Sequence, residues 1–164
     1  VSCAGVQTVA PEMPHGALPN ADWGDAYAIR MQAKGWTVRQ VAEKAIGPMP
    51  GWARWLLFVR NLVVFPFGLR PAAAAGEGDR IGPFPVVSST EREIVLGFDD
   101  RHLDFRIVIS LSAAGSPASS IRAMTLIRRH NVWGRLYLLS VLPFHKLIVR
   151  SMLASLRDKQ QETS

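Results

Sequence analysis

The sequence predicts one α+β domain in which an antiparallel β-sheet is clamped against a long C-terminal helix. Three observations carry this. Residues 132–158 are largely apolar at helical spacing. Residues 81–130 switch to a two-residue period, the mark of strands with one buried face. The links between those strands are short enough to make neighbours antiparallel. At 164 residues the chain can fill one core and is short for two, and 48% hydrophobic with 20% charged residues is a globular composition.

Residues 1–20 hold three prolines, two glycines and no periodicity, and read as a flexible arm. The domain proper is expected over residues 21–158. A first strand is predicted at about Asp25–Met31, with Tyr27, Ile29 and Met31 on one face. Two helices should follow it. The first starts at a capping box, Thr37 with Gln40, in which each side chain satisfies the other residue's backbone N–H. Val38, Val41, Ala42, Ala45 and Ile46 then share a face until Gly47 and Pro48 stop the helix. The second runs from about Pro50 to Phe65, with Trp52, Trp55, Leu56, Val59 and Val63 opposite Arg54 and Asn61. Residues 70–80 read as a surface loop. Strands are predicted at Ile81–Ser89, Glu93–Asp99, His102–Ser112 and Ser120–His130, with tight connections at Asp99-Asp100-Arg101 and at residues 113–118. Residues 159–164 are expected to be a disordered tail.

The C-terminal helix divides unequally. At about 100° per residue, Arg135, Lys146, Arg150 and Arg157 fall in a sector of roughly 60°. Most other positions are apolar, so burial on most sides is expected. Pro143 should kink the helix. His145 breaks the apolar sector almost opposite the basic stripe. It reads either as a structural histidine bonded to a backbone carbonyl or sheet side chain, or as a polar group lining an internal pocket.

The net charge is +6, and no acidic residue lies between Asp104 and Asp158. That asymmetry suits an anionic partner. Arginine stems covering apolar surface explain it more simply, because the basic residues alternate with core positions. Nucleic acid is not favoured, since the aromatics follow core periodicity. The one cysteine, Cys3, excludes an internal disulfide and a multi-cysteine zinc site. With no signal-peptide pattern in VSCAGV, the expected compartment is the cytoplasm. The chain opens on Val1, which leaves room for an upstream piece. No apolar run reaches the roughly 18–20 charge-free residues of a membrane span; the nearest, Trp55 to Leu69, is broken by Arg60, Asn61 and Pro66.

His102, Asp104 and Arg106 alternate along one strand face, and a hairpin centred near Gly115–Ser116 would bring Arg128 and His130 beside them. Two histidines and a carboxylate can bind a metal or move a proton. The alternation, however, sets these residues away from Phe105 and Ile107, so a structural cross-strand ladder is the simpler reading and no metal is expected. No GxSxG elbow, phosphate loop, HExxH helix or GxGxxG fingerprint is present, and no cofactor is expected.

The order of strand, helices, antiparallel meander and long C-terminal helix resembles the helix-grip fold of the START and pollen-allergen-like (SRPBCC) superfamily. The stretches IGPFPVV (81–87), LGFDDRHLDFRI (96–107) and HNVWGRLYLLSVLPFHKLIVRSML (130–153) resemble an uncharacterised bacterial domain family, covering about residues 20–155. Members of that family also occur fused behind NAD(P)-binding domains related to short-chain dehydrogenases. The resemblance implies a cavity between sheet and C-terminal helix suited to an apolar or amphipathic small molecule, although fewer than the usual seven strands are expected. Tyr27, Phe105, Ile107, Thr125, Tyr137, Val141, His145 and Ile148 would line it, with His145 and Tyr137 as polar handles. A non-catalytic interaction module, homodimeric or docked on a dehydrogenase-like partner, is the alternative. A cyclase- or dehydratase-type enzyme using His145 is the third reading, and it needs a second ionisable group at the pocket. Surplus apolar surface near arginines would suit a membrane surface or a homodimer.

Overall fold

The computed structural model describes residues 5–31, 35–47, 51, 78–112 and 120–161. In chain order the elements are β1 (Val6–Val9), β2 (Trp23–Arg30), α1 (Val38–Ile46), β3 (Arg80–Ile81), β4 (Phe84–Ser89), β5 (Glu93–Asp99), β6 (Leu103–Ser112), β7 (Ser120–Arg129) and α2 (Val132–Gln161). The strands form one seven-stranded antiparallel sheet in the order β1-β2-β7-β6-β5-β4-β3. Consecutive strands β3 to β7 are neighbours in a meander. The N-terminal strands then join its far side, where β2 pairs with β7 in a register that sets Asp25 beside Thr125.

Local chemistry explains the element boundaries. The Thr37–Gln40 capping box forms, with the Thr37 N–H donating to Gln40 Oε1 at 3.0 Å and the Gln40 N–H donating to Thr37 Oγ1 at 3.2 Å. Val38, Val41, Ala42, Ala45 and Ile46 are the buried face of α1. At the other end, α2 is capped by Asn131, whose Oδ1 accepts from the Gly134 N–H at 3.0 Å. Gly134 is required by a close approach: a Cβ there would lie 2.3 Å from the His102 carbonyl oxygen. The helix start therefore sits directly on the β5–β6 connection.

Several expectations are corrected. The arm expected over residues 1–20 contains β1, which pairs with β2 from Val6↔Ile29 to Val9↔Ala26. A four-residue strand flanked by glycine and proline carries too little periodicity to be seen. The sheet accordingly has seven strands, and α1 follows the second strand, not the first. The predicted helix from Pro50 to Phe65 lies outside the described residues except for position 51, as do residues 70–77 of the predicted loop and the turn at 113–118. The predicted strand Ile81–Ser89 is two strands, divided where Gly82 takes a positive φ of 57°. Of the tail expected at 159–164, residues 159–161 are helical, because α2 continues through Gln161, and residues 162–164 lie outside the described residues.

Both faces of the sheet carry buried apolar residues. On its front, Ile29, Leu96, Ile109 and Ile121 pack with Val41 and Ile46 of α1 and Leu153 and Leu156 of α2. On its back, Leu18, with Ala17, Ala21 and Val9, covers Ala26, Val95, Val108, Met124 and Leu126. The face of β6 expected to be wet is thus partly roofed by the segment between β1 and β2, and Val108 is 2% exposed. The reverse error concerns α2. Its apolar surface is not buried on most sides, because among the described residues the sheet and α1 cover only part of its circumference; Leu136 and Leu139 are 53% and 66% exposed. Although Lys146 and Arg150 interrupt it, Val132–Lys159 is long and apolar enough to cross a membrane by length and composition alone.

Candidate functional site

The inner face of α2 repeats at helical spacing: Tyr137, Val141, His145, Ile148 and Met152 all point toward the sheet. Opposite them, alternate residues of the strands turn the same way, with Phe105 and Ile107 from β6, Thr125 and Ile127 from β7 and Phe98 from β5. Facing rows of large side chains on a twisted sheet and a helix do not close completely. A cavity of about 170 Å³ remains between them. Its wall is overwhelmingly carbon, and among the described lining residues the polar side chains are Thr125, Tyr137 and His145.

His145 is held by a residue that does not itself line the cavity. Its Nε2 lies 3.1 Å from Asp25 Oδ1, and the two side chains are 16% and 12% exposed. A carboxylate can only accept, so the proton in this bond belongs to Nε2. In its neutral form the ring presents Nδ1 as an acceptor, the arrangement that readies an imidazole as a base or as a hydrogen-bond acceptor for a ligand. The Trp23 indole meets the imidazole edge-on, with centroids 6.2 Å apart, and fixes the ring plane. Asp25 Oδ2 is buried without a close hydrogen bond, and the Tyr27 hydroxyl two positions along β2 leans on the same carboxylate. Tyr27 is pushed up to about 12, first by burial, then by the Asp25 charge and by hydrogen bonding to that carboxylate, with Arg150 acting against them.

Of the eight residues expected to line a pocket, Phe105, Ile107, Thr125, Tyr137, Val141, His145 and Ile148 surround this cavity. Tyr27 does not line it; it is buried at 4% exposure on the adjoining strand. Sequence reasoning missed Asp25 and Trp23. The signal was present, since Asp25 lies in phase with Trp23, Tyr27 and Ile29 on the apolar face of its strand. An acid at such a position needs a partner.

The cluster His102, Asp104, Arg106, Arg128 and His130 is drawn together at the same end of β6 and β7 as the cavity, but on the opposite face of the sheet. Asp104 sits opposite Arg128 in register, and its Oδ1 lies 2.9 Å from His130 Nε2. Arg106 instead reaches Asp99 at 2.7 Å. His102 Nδ1 meets the Asn131 amide, whose nitrogen is 2.9 Å away, and so steadies the cap of α2. Among the described residues no group of three or more His, Cys, Asp or Glu side chains is placed to hold a metal ion. Cys3 lies outside the described residues.

The protein-family comparison matches residues 17–152 to the family described as protein of unknown function (DUF2867), and the chain belongs to that family. No curated protein and no solved structure matches the chain.

Proposed function

Starting from membership of a family defined without a function, we propose that this domain binds a small, mainly apolar molecule between the sheet and α2, its single polar group held by His145. The observation that carries the reading is the apolar cavity with an aspartate-backed imidazole in its wall. Its size narrows the ligand. A volume of about 170 Å³ suits one aromatic ring, as an apolar cavity of about 150 Å³ accepts benzene. Drug-sized ligands occupy roughly 300–1,000 Å³, so a sterol or diacyl lipid is excluded unless α2 moves. With Nε2–H committed to Asp25, the favoured polar group is a donor, a hydroxyl or N–H, directed at Nδ1.

The helix-grip placement and a ligand-binding role support each other here, because a long C-terminal helix across an antiparallel sheet is the arrangement in which such a cavity arises. The interaction-module alternative calls for a closed core and is disfavoured by the same void. A second reading has an observation of its own. Asp25 backs His145 from outside the cavity lining, so an imidazole oriented by that carboxylate could move a proton to or from a bound molecule.

Calorimetric titration with phenol and with benzene tests the binding role, alongside native mass spectrometry of the purified protein. Phenol should bind about fivefold more tightly than benzene, the worth of one ordinary hydrogen bond. His145→Ala should erase that difference while leaving benzene binding. No bound mass and no heat with either probe would overturn the proposal. Binding that is blind to the hydroxyl would overturn the role given to His145.

A further inference from the structure

The outer face of α2 is not explained by the cavity. Val132, Trp133, Leu136, Leu139, Phe144 and Leu147 are each 47–66% exposed. At about 100° per residue they gather within roughly 140° of the helix circumference. Arg135, Lys146 and Arg150 are exposed along one side of the same face. No Asp or Glu occurs anywhere from residue 105 to residue 157. An apolar ridge with a cationic margin is the pattern of a helix that lies in a membrane interface.

We propose that this face docks the domain flat on an anionic lipid surface, the apolar ridge entering the headgroup boundary and the three cations meeting lipid phosphates. The competing geometries fit less well. A spanning helix would have to leave the sheet, yet Leu138 is 4% exposed in the core and His145 is bonded to Asp25 from the opposite face. A second copy packed by two-fold symmetry would set the cationic margin against its own image, with no acid on the face to answer it.

Co-sedimentation with phosphatidylcholine vesicles, with and without phosphatidylglycerol, tests this. The protein should pellet with the anionic vesicles and stay largely in solution with the neutral ones. Each cation removed should weaken binding about fivefold at low salt, so Arg135→Gln with Lys146→Gln should lose about 25-fold. Leu136→Ser with Leu139→Ser should also abolish pelleting, and urea unfolding midpoints close to wild type will show that these surface variants are folded. Absence of pelleting with anionic vesicles overturns the proposal, as does binding that is indifferent to the paired charge change. Concentration-dependent dimerisation abolished by Leu139→Glu, with no vesicle binding, would overturn it in favour of a second copy.

Discussion

Replacing the two members of the Asp25–His145 pair singly and together distinguishes a pair kept for function from one kept for stability. His145→Phe keeps the ring volume but strips Asp25 Oδ1 of its imidazole partner, leaving a buried carboxylate with only the Tyr27 hydroxyl beside it. Removing the donor from a buried carboxylate costs its desolvation penalty, and with side chains 16% and 12% exposed the expected loss is about 3 kcal/mol. In a domain of this size that is a fall in Tm of roughly 6–12 °C. Asp25→Leu leaves an imidazole without its acceptor, and should cost less, about 1–2 kcal/mol. The double variant faces two apolar groups at each other and should lie within about 1 kcal/mol of wild type, because replacing both partners of a buried hydrogen bond by apolar groups is close to neutral. The measurement is urea unfolding followed by circular dichroism, with the coupling taken from the cycle of four proteins. Losses that simply add, with a coupling under about 0.5 kcal/mol, would refute the contact. A double variant as stable as wild type but unable to tell phenol from benzene would show that the pair serves the ligand and not the fold.

Two further outcomes follow from single residues. Tyr27 has its pKa raised from 10.0 to about 12, so its neutral form adds stability that is complete below pH 10 and disappears as pH climbs toward 12. In a Tyr137→Phe background, phenolate absorbance should rise near pH 12 or together with unfolding, and Asp25→Leu should lower that midpoint only in part, since burial is the larger cause; a native midpoint at 10 would refute this. Gly134→Ala raises helix propensity by about 1 kcal/mol, yet it should lower the urea midpoint, because the new Cβ would stand 2.3 Å from a backbone oxygen that cannot yield. A stabilised Gly134→Ala protein would mean that α2 does not sit on the β5–β6 connection.

Much of this fold is legible in the sequence where the periodic signal is long. Ten residues of strict alternation in β6 and the capping box at Thr37 read directly, because each is a local pattern enforced by backbone geometry. The strand β1 and the cover provided by Leu18 do not. Both depend on contacts far along the chain, and four residues between glycine and proline leave no period to detect. The candidate site divides in the same way. Helical spacing brings Tyr137, Val141, His145 and Ile148 to one face, and alternation brings Phe105 and Ile107 to meet them. That Asp25 is the partner of His145 depends on the β2–β7 register, a pairing of strands nearly a hundred residues apart that no local pattern encodes. The outer face of α2 misleads for a related reason: composition measures how apolar a helix is, and not how much of it the rest of the molecule can reach.

The site concentrates costs. A cavity of about 170 Å³, if nothing filled it, would forfeit roughly 4 kcal/mol at the usual penalty per unit volume. The poorly bonded Asp25 oxygen would add up to about 1 kcal/mol beside it. Domains commonly have about 5–15 kcal/mol of net stability, so these two deficits are a large share of it, and His145 joins them in space. One molecule would relieve much of both. Its apolar body would restore the missing contacts. Its donor on Nδ1 would polarise the imidazole and strengthen the Nε2–H bond to Asp25. A ligand that binds only the folded chain stabilises it in proportion to the logarithm of its concentration over Kd. The coincidence of void, strained carboxylate and histidine therefore makes thermal stability itself a readout of occupancy: the protein should melt higher with phenol than with benzene at equal concentration, and His145→Ala should remove the difference.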